Sequence, residues 1–275
     1  MKTVHVDDAV GLEVDTWDGG DAVPFLLVHG LASNRRLWER VAGCLEELGH
    51  PVASVDLRGH GRSDKPDDGY DFTTMGDDLL KVLDAAGFDR PVLAGQSTGG
   101  NIVVDLAARV PDRFRGVAGI DGGALELARQ WPDWEECKRA LTPPPLAGSL
   151  AASVEARLRR AHPDWSDWAV EVSMANFEHL PDGTIRPWLT LDRHLRILRA
   201  LWEHHPSAVI PKLAVDVLLV MADTGDEWAE QKRALADELL AVAPNVRVEW
   251  MSPGDHDLHV QYPVGLAELL HAAFP

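Results

Sequence analysis

The pentapeptide Gly95-Gln96-Ser97-Thr98-Gly99 has the residue types that nucleophilic catalysis by a serine requires. A hydroxyl lifted clear of a sharp strand-to-helix turn needs glycine on either side, where side chains would clash. An apolar run over residues 91–94 precedes it and a helical pattern over residues 99–109 follows, the strand–turn–helix setting that gives this short motif its meaning. The Thr98 N–H, opening that helix, then points toward an oxygen developing negative charge. An earlier apolar run over residues 25–28 ends in His29-Gly30-Leu31, which brings the Leu31 N–H beside the turn as a second donor. The serine also needs a base, and twelve histidines compete for the role. His256, in Pro253-Gly254-Asp255-His256, follows the last predicted strand at the C-terminal edge, where catalytic groups of open α/β sheets gather. The chemistry these residues point to is acyl transfer through a covalent intermediate on Ser97.

The elements that must position these groups alternate along the chain. Apolar runs at residues 25–28, 51–55, 91–94 and 117–120 read as strands buried on both faces. Helical spacing separates them: Leu37, Val41, Cys44, Leu45 and Leu48; then Leu79, Leu80, Val82 and Leu83; then residues 99–109. Residues 12–17 alternate like an edge strand. This rhythm predicts a parallel sheet with helices on both faces. It breaks at Asp121 and returns near Val215, with a strand at 215–221, a helix at 228–242, a strand at 247–251 and a helix at 264–273. The interval holds Pro143-Pro144-Pro145 and six of the ten tryptophans: Trp131, Trp134, Trp165, Trp168, Trp188 and Trp202. The predicted organisation is therefore a core from residues 1–121 and 211–275, with a helical cap inserted at 122–210.

Composition narrows the function classes. The 275 residues carry 26 Lys and Arg against 44 Asp and Glu, a net charge of −18. So acidic a chain repels phosphate backbones and anionic lipid surfaces, which argues against nucleic-acid and membrane partners. With 45% hydrophobic and 25% charged residues the composition is that of an ordinary globular protein. The two cysteines, Cys44 and Cys137, fit no metal or redox spacing and are expected as free thiols. His204-His205 and the His256/His259 pair lack partners in a ligand pattern, so neither metal nor cofactor is expected. No long apolar run or leader pattern is seen, and a cytoplasmic monomer or homodimer acting on a small molecule is the expectation.

Taken together, His29-Gly30, Asp56-Leu57-Arg58-Gly59-His60-Gly61-Arg62-Ser63, the turn around Ser97, and His256 followed by Pro263 resemble the α/β-hydrolase fold superfamily, in its branch of cap-bearing, cofactor-free serine hydrolases. The resemblance covers about residues 4–121 and 212–274. It implies a doubly wound, mostly parallel eight-stranded sheet with an inserted helical cap and a Ser-His-Asp triad. Relatives usually end the strand equivalent to 215–221 in Gly, with the acid three residues later. Here Ala222 replaces that Gly and Gly225 holds the acid's place. Asp226, reached by a loop one residue longer, is the first choice for the acid, Asp223 the second, and Asp121, closing the strand 117–120, the third.

The expected reaction is hydrolysis of a carboxylic ester or lactone with a small apolar or aromatic group. His29, Trp131 and His259 are expected to line the substrate pocket, and the tryptophan-rich insertion suits a ring or chain held between aromatics. The same triad serves carbon–carbon, thioester and perhydrolase chemistry, and the same fold also serves as a non-catalytic ligand receptor. Serine at position 97 argues against epoxide opening and dehalogenation, which use an aspartate nucleophile in similar proteins.

Overall fold

Strands without polar–apolar alternation require a layer on each face, and the computed structural model, which describes residues 2–275, supplies both. Its large sheet comprises β1 (Lys2–His5), β2 (Gly11–Trp17), β3 (Phe25–Val28), β4 (Val52–Val55), β5 (Val92–Gln96), β6 (Gly116–Ile120), and two strands after the insertion. Within the insertion run α4 (Leu127–Gln130), α5 (Trp134–Leu141), β7 (Ser149–Leu150), α6 (Ala151–Ala161), α7 (Asp167–Met174), β8 (Phe177–His179), β9 (Thr184–Pro187), α8 (Leu191–Glu203) and α9 (Pro206–Val209). The large sheet then resumes with β10 (Asp216–Ala222) and β11 (Val246–Met251), in the order β1-β2-β4-β3-β5-β6-β10-β11. Only the β1–β2 and β2–β4 pairings are antiparallel; the remaining five are parallel.

Every residue of β3, β4, β5 and β6 is buried. One face of the sheet packs on α2 (Phe72–Ala86) and α3 (Thr98–Arg109), with Leu26, Val28, Leu93 and Val117 meeting Leu79, Leu83, Val103 and Leu106 in one cluster. The other face packs on α1 (Glu39–Glu47) and α12 (Pro263–Ala273), where Phe25, Leu27, Val92 and Ala118 meet Val41, Leu45, Leu266 and Leu270. This is the parallel sheet with helices on both faces that the apolar rhythm predicts, in the doubly wound, eight-stranded form that the resemblance to α/β-hydrolases implies.

Two details differ from the sequence expectation. Residues 11–17 are not the sheet edge: β1 pairs outside them, from Lys2↔Val14 to His5↔Gly11. Its four residues are too few to show a period in the sequence. Beside its helices the insertion also holds a small antiparallel sheet of β7, β9 and β8. Their runs of two to four residues are shorter than the window over which alternation can be counted. Cys44 and Cys137 are both free thiols. Among the described residues no helix is long and apolar enough to cross a membrane.

Several tryptophans join the insertion to the core. Trp168 donates to Glu39 (3.2 Å) and lies under the Arg40 guanidinium at 4.4 Å. Trp188 sits beneath Arg62 and Lys65. Arg193, from α8, donates to the carbonyls of Lys65 and Pro66. These contacts fix the insertion over the C-terminal edge of the sheet.

Candidate active site

At the end of β5 the backbone turns so sharply that Ser97 takes φ +52°, ψ −124°, a conformation costing a non-glycine residue about 1–3 kcal/mol. The turn is tight enough that a Cβ on Gly95 would lie 2.4 Å from Gly99, and one on Gly99 would lie 2.4 Å from the His29 carbonyl oxygen. Only glycine allows β5, α3 and the end of β3 to approach this closely. Ser97 N–H donates to Ile120 O at 3.0 Å, tying the turn to the end of β6.

That neighbouring strand end carries Asp121. Asp121 is itself strained, at φ +40°, and 3% exposed. Its Oδ2 accepts from His256 Nδ1 at 2.7 Å. Its Oδ1 accepts from the Ala222 N–H at 3.0 Å and from Lys232 Nζ at 2.8 Å. The adjoining Gly122 is packed on the nucleophile's own backbone: a Cβ there would fall 2.3 Å from Ser97 O and 2.4 Å from Ser97 N. Ser97 and Asp121 thus stand on two strand ends in direct contact.

Of the three carboxylates considered, it is Asp121, the third choice, that contacts His256. Asp226, the first choice, caps α10 (Glu227–Val242) by accepting from the Ala229 N–H at 3.1 Å. Asp223, the second, pairs with Arg233 at 2.7 Å. Neither contacts His256. The physical reason lies in the loop: Asp226 is spent on the helix terminus, where an N-cap carboxylate satisfies free backbone donors, while Asp121 points from the adjacent strand at the imidazole.

A histidine whose Nδ1–H is held by a carboxylate presents Nε2 to the site. Desolvation favours the neutral His256 ring, but the hydrogen bond to Asp121 and the charges of Asp257 and Asp121 outweigh it and hold its pKa above that of an ordinary histidine. Desolvation likewise opposes ionisation of Asp121, and the His256 and Lys232 contacts outweigh it, so the carboxyl stays below its usual range. The His256 backbone is held by Gln96, which donates from Nε2 to His256 O at 3.1 Å. Gln96 is thus a positioning residue inside the Ser97 motif that the motif's pattern leaves unspecified.

Two cavities meet at Ser97, His256 and Leu31. The smaller, about 260 Å³, also reaches Thr98 and is walled by Leu125, Leu127, Trp131, Leu198, Leu201 and Trp228. The larger, about 490 Å³, is mixed in character, with Trp165 and Phe177 beside Arg157, His162, Asn176 and Asp257. Trp131 lines the smaller cavity. His29 and His259 line neither, which corrects their assignment to the pocket wall. His29 is fully buried, donating from Nδ1 to Gly30 O and accepting the Leu57 N–H on Nε2; burial depresses its pKa to about 4. His259 is fully buried with its ring 4.7 Å from that of Trp38, and burial depresses it to about 3. Both are neutral props behind the site.

The Asp56–Ser63 segment has a similar scaffolding part. Asp56 accepts from the Arg35 and Arg62 N–H groups and from the Arg35 guanidinium. Arg58 and Asp78 form a buried two-pronged pair, at 2.7 and 2.8 Å. The His60 ring accepts the Ala32 N–H at 3.2 Å, steadying the loop that carries Leu31. Four further residues escaped the sequence reading: Lys232, Asp257, His194 and Trp228. His194 and Trp228 enter the small cavity from α8 and α10. Nothing but three-dimensional proximity marks them, whereas Lys232 interrupts the otherwise apolar buried stripe of α10.

The model for the alpha/beta hydrolase fold matches residues 23–261 of this chain. The chain belongs to the α/β-hydrolase family. Among relatives of this α/β-hydrolase, Esterase YbfF of Escherichia coli (strain K12) is 26% identical over 253 residues, 87% of this chain and 88% of that one. AB hydrolase superfamily protein YisY of Bacillus subtilis (strain 168) is 38% identical over 106 residues, only 38% of this chain and 39% of that protein. The match to that relative therefore spans well under half its length. The crystal structure of E-2-(acetamidomethylene)succinate hydrolase superposes with a TM-score of 0.79 at 22% identity, covering 98% of this chain and 97% of that one, a likeness of fold.

Proposed function

We propose that this α/β-hydrolase is a serine esterase or lactonase that forms an acyl-enzyme on Ser97, with His256 as base and Asp121 as acid. The single observation that carries the reading is the His256 Nδ1–Asp121 Oδ2 contact of 2.7 Å, made by a histidine that shares both cavities with the strained Ser97. In this reading Nε2 of His256 takes the Ser97 proton as Oγ attacks the carbonyl carbon. The Leu31 and Thr98 N–H groups receive the oxyanion, and the imidazolium protonates the departing alkoxide. Water, deprotonated by the same imidazole, then attacks the acyl carbon and releases the acid. In a lactone the alkoxide stays tethered, so one product carries both acid and alcohol.

The small cavity supports the substrate class. Its wall of leucines and two tryptophans suits a compact apolar or aromatic group, while the mixed cavity receives the more polar half of the ester. The full-length similarity to an esterase is in keeping with this chemistry.

Hydrolysis of p-nitrophenyl esters from acetate to octanoate, together with a benzoate, tests the reading. Turnover is expected to peak at short to medium chains or the aromatic ester and to vanish in Ser97→Ala. A fluorophosphonate is expected to label Ser97 in the wild type. Turnover that survives Ser97→Ala sinks the mechanism; neither turnover nor labelling makes the chain a ligand receptor.

A further inference from the structure

The buried stripe of α10 is Ala229, Lys232, Ala236 and Leu239. Spacings of three, four and three residues are those of one helix face, so a lysine occupies a position where the pattern calls for an apolar residue. Lys232 is 6% exposed. A buried ammonium is tolerated only when paired and hydrogen-bonded, and both of its partners lie in the catalytic corner: Asp121 Oδ1 at 2.8 Å and the Ala222 carbonyl oxygen, against which its Nζ also rests. Asp226 caps the same helix and Lys232 sits about one and a half turns further on, so the loop expected to supply the acid instead starts the helix that delivers a cation to it.

We propose that Lys232 is a positioning residue for the triad: its ammonium locks one oxygen of Asp121 so that the other is held for His256, and its charge sets the lower pH limit of activity. The inference rests on the roles of Asp121 and His256 proposed above. The carboxylate oxygens are divided without overlap, Oδ1 to Lys232 and the Ala222 N–H, Oδ2 to His256. Loss of the ammonium frees the carboxylate to rotate, since one backbone donor does not fix it alone. The charge acts separately. Facing His256 are Asp121 from the end of β6, Lys232 from α10, Asp257 from its own loop, and His259 from α11 (Leu258–Gln261). Arg157 and His162 line the shared cavity from α6 and its C-terminal end. Among these, Asp121 and Asp257 favour the imidazolium and Lys232 opposes it. The lysine therefore keeps the ring available as a base at lower pH than the two carboxylates alone would allow.

The test is a kcat/KM–pH profile for ester hydrolysis by wild type, Lys232→Met, Lys232→Gln and Lys232→Arg, paired with NMR titration of the His256 imidazole. Removal of the charge is expected to lower kcat/KM about tenfold at neutral pH and to move the acid limb and the His256 midpoint together to higher pH. Lys232→Arg is expected to hold both near the wild-type position. Should Lys232→Met not fold, Lys232→Gln, which keeps a donor and a similar volume, carries the comparison. A variant that loses only melting temperature, with limb and His256 midpoint unmoved, overturns the proposal and leaves Lys232 as packing. A His256 midpoint that moves in a protein without Ser97-dependent turnover upholds the coupling and overturns the hydrolase reading instead.

Discussion

The ends of β6 and β10 are neighbours in the sheet, and each carries aspartate, yet they differ in what holds them. The β6 end is buried and strained, with Asp121 at φ +40° and Gly122 pressed on Ser97. The β10 end is open: Gly225, at φ +69°, has nothing within 4 Å of the place its Cβ would occupy, and Asp223 and Asp226 serve a surface ion pair and a helix cap. Position in the chain favours the second region, while burial and pairing select the first. Asp223 gives its oxygens to Arg233 and the Gly225 N–H and Asp226 gives Oδ1 to the Ala229 N–H, whereas Asp121 keeps Oδ2 for His256 while Lys232 and the Ala222 N–H hold its Oδ1.

Substitutions can break this comparison, and the largest effect is expected at Asp121. Asp121→Asn retains shape but loses the charge and holds the wrong imidazole tautomer, so kcat should fall about 10⁴-fold; an ester assay showing less than a tenfold loss would return the role to the β10 loop. The two glycines give the next contrast. Gly122→Ala forces a methyl against the Ser97 backbone and should cost about 3 kcal/mol of stability and most of the activity. Gly225→Ala meets no atom and should cost about 1 kcal/mol for its positive φ, with turnover intact; urea melts and the ester assay read both.

The pH profile sharpens the contrast further. His256 must be neutral to act, and its pKa is raised, so kcat/KM should fall as pH drops through a midpoint above about 6.5, the ordinary histidine value. Asp121→Asn removes an anion that favours the imidazolium, and should move that midpoint down in whatever activity remains. The smallest effects belong to the open loop. Asp223→Asn and Asp226→Asn should leave kcat/KM within about twofold and the acid limb in place, the second lowering melting temperature slightly by removing a negative charge from the helix N-terminus. A displaced limb in either would tie that residue to His256 after all.

Much of the core was legible because its signals are local. The runs at 25–28, 117–120 and around Ser97 encode burial on both faces directly, and the structure places each within a residue or two. Ser97 and His256 stand out in the sequence by motif and strand position. The carboxylate that meets His256 does not, because that turns on which strand end reaches the ring, a relation between residues 135 positions apart in sequence. A clue did exist: Asp121-Gly122-Gly123 follows a buried strand much as the Ser97 turn does, and two glycines there signal close backbone approach. The insertion was least legible. Its strands are short, and its tryptophans divide between the cavity wall, where Trp131 and Trp165 stand, and the seam with the core, where Trp168 and Trp188 lie under cations.

The close approach of Gly122 to Ser97 has a consequence for variation. Because the strand end that carries Asp121 is packed on the Ser97 backbone, a change that moves one moves the other. The loop after β10 is open at Gly225 and has room to lengthen, shorten or change charge.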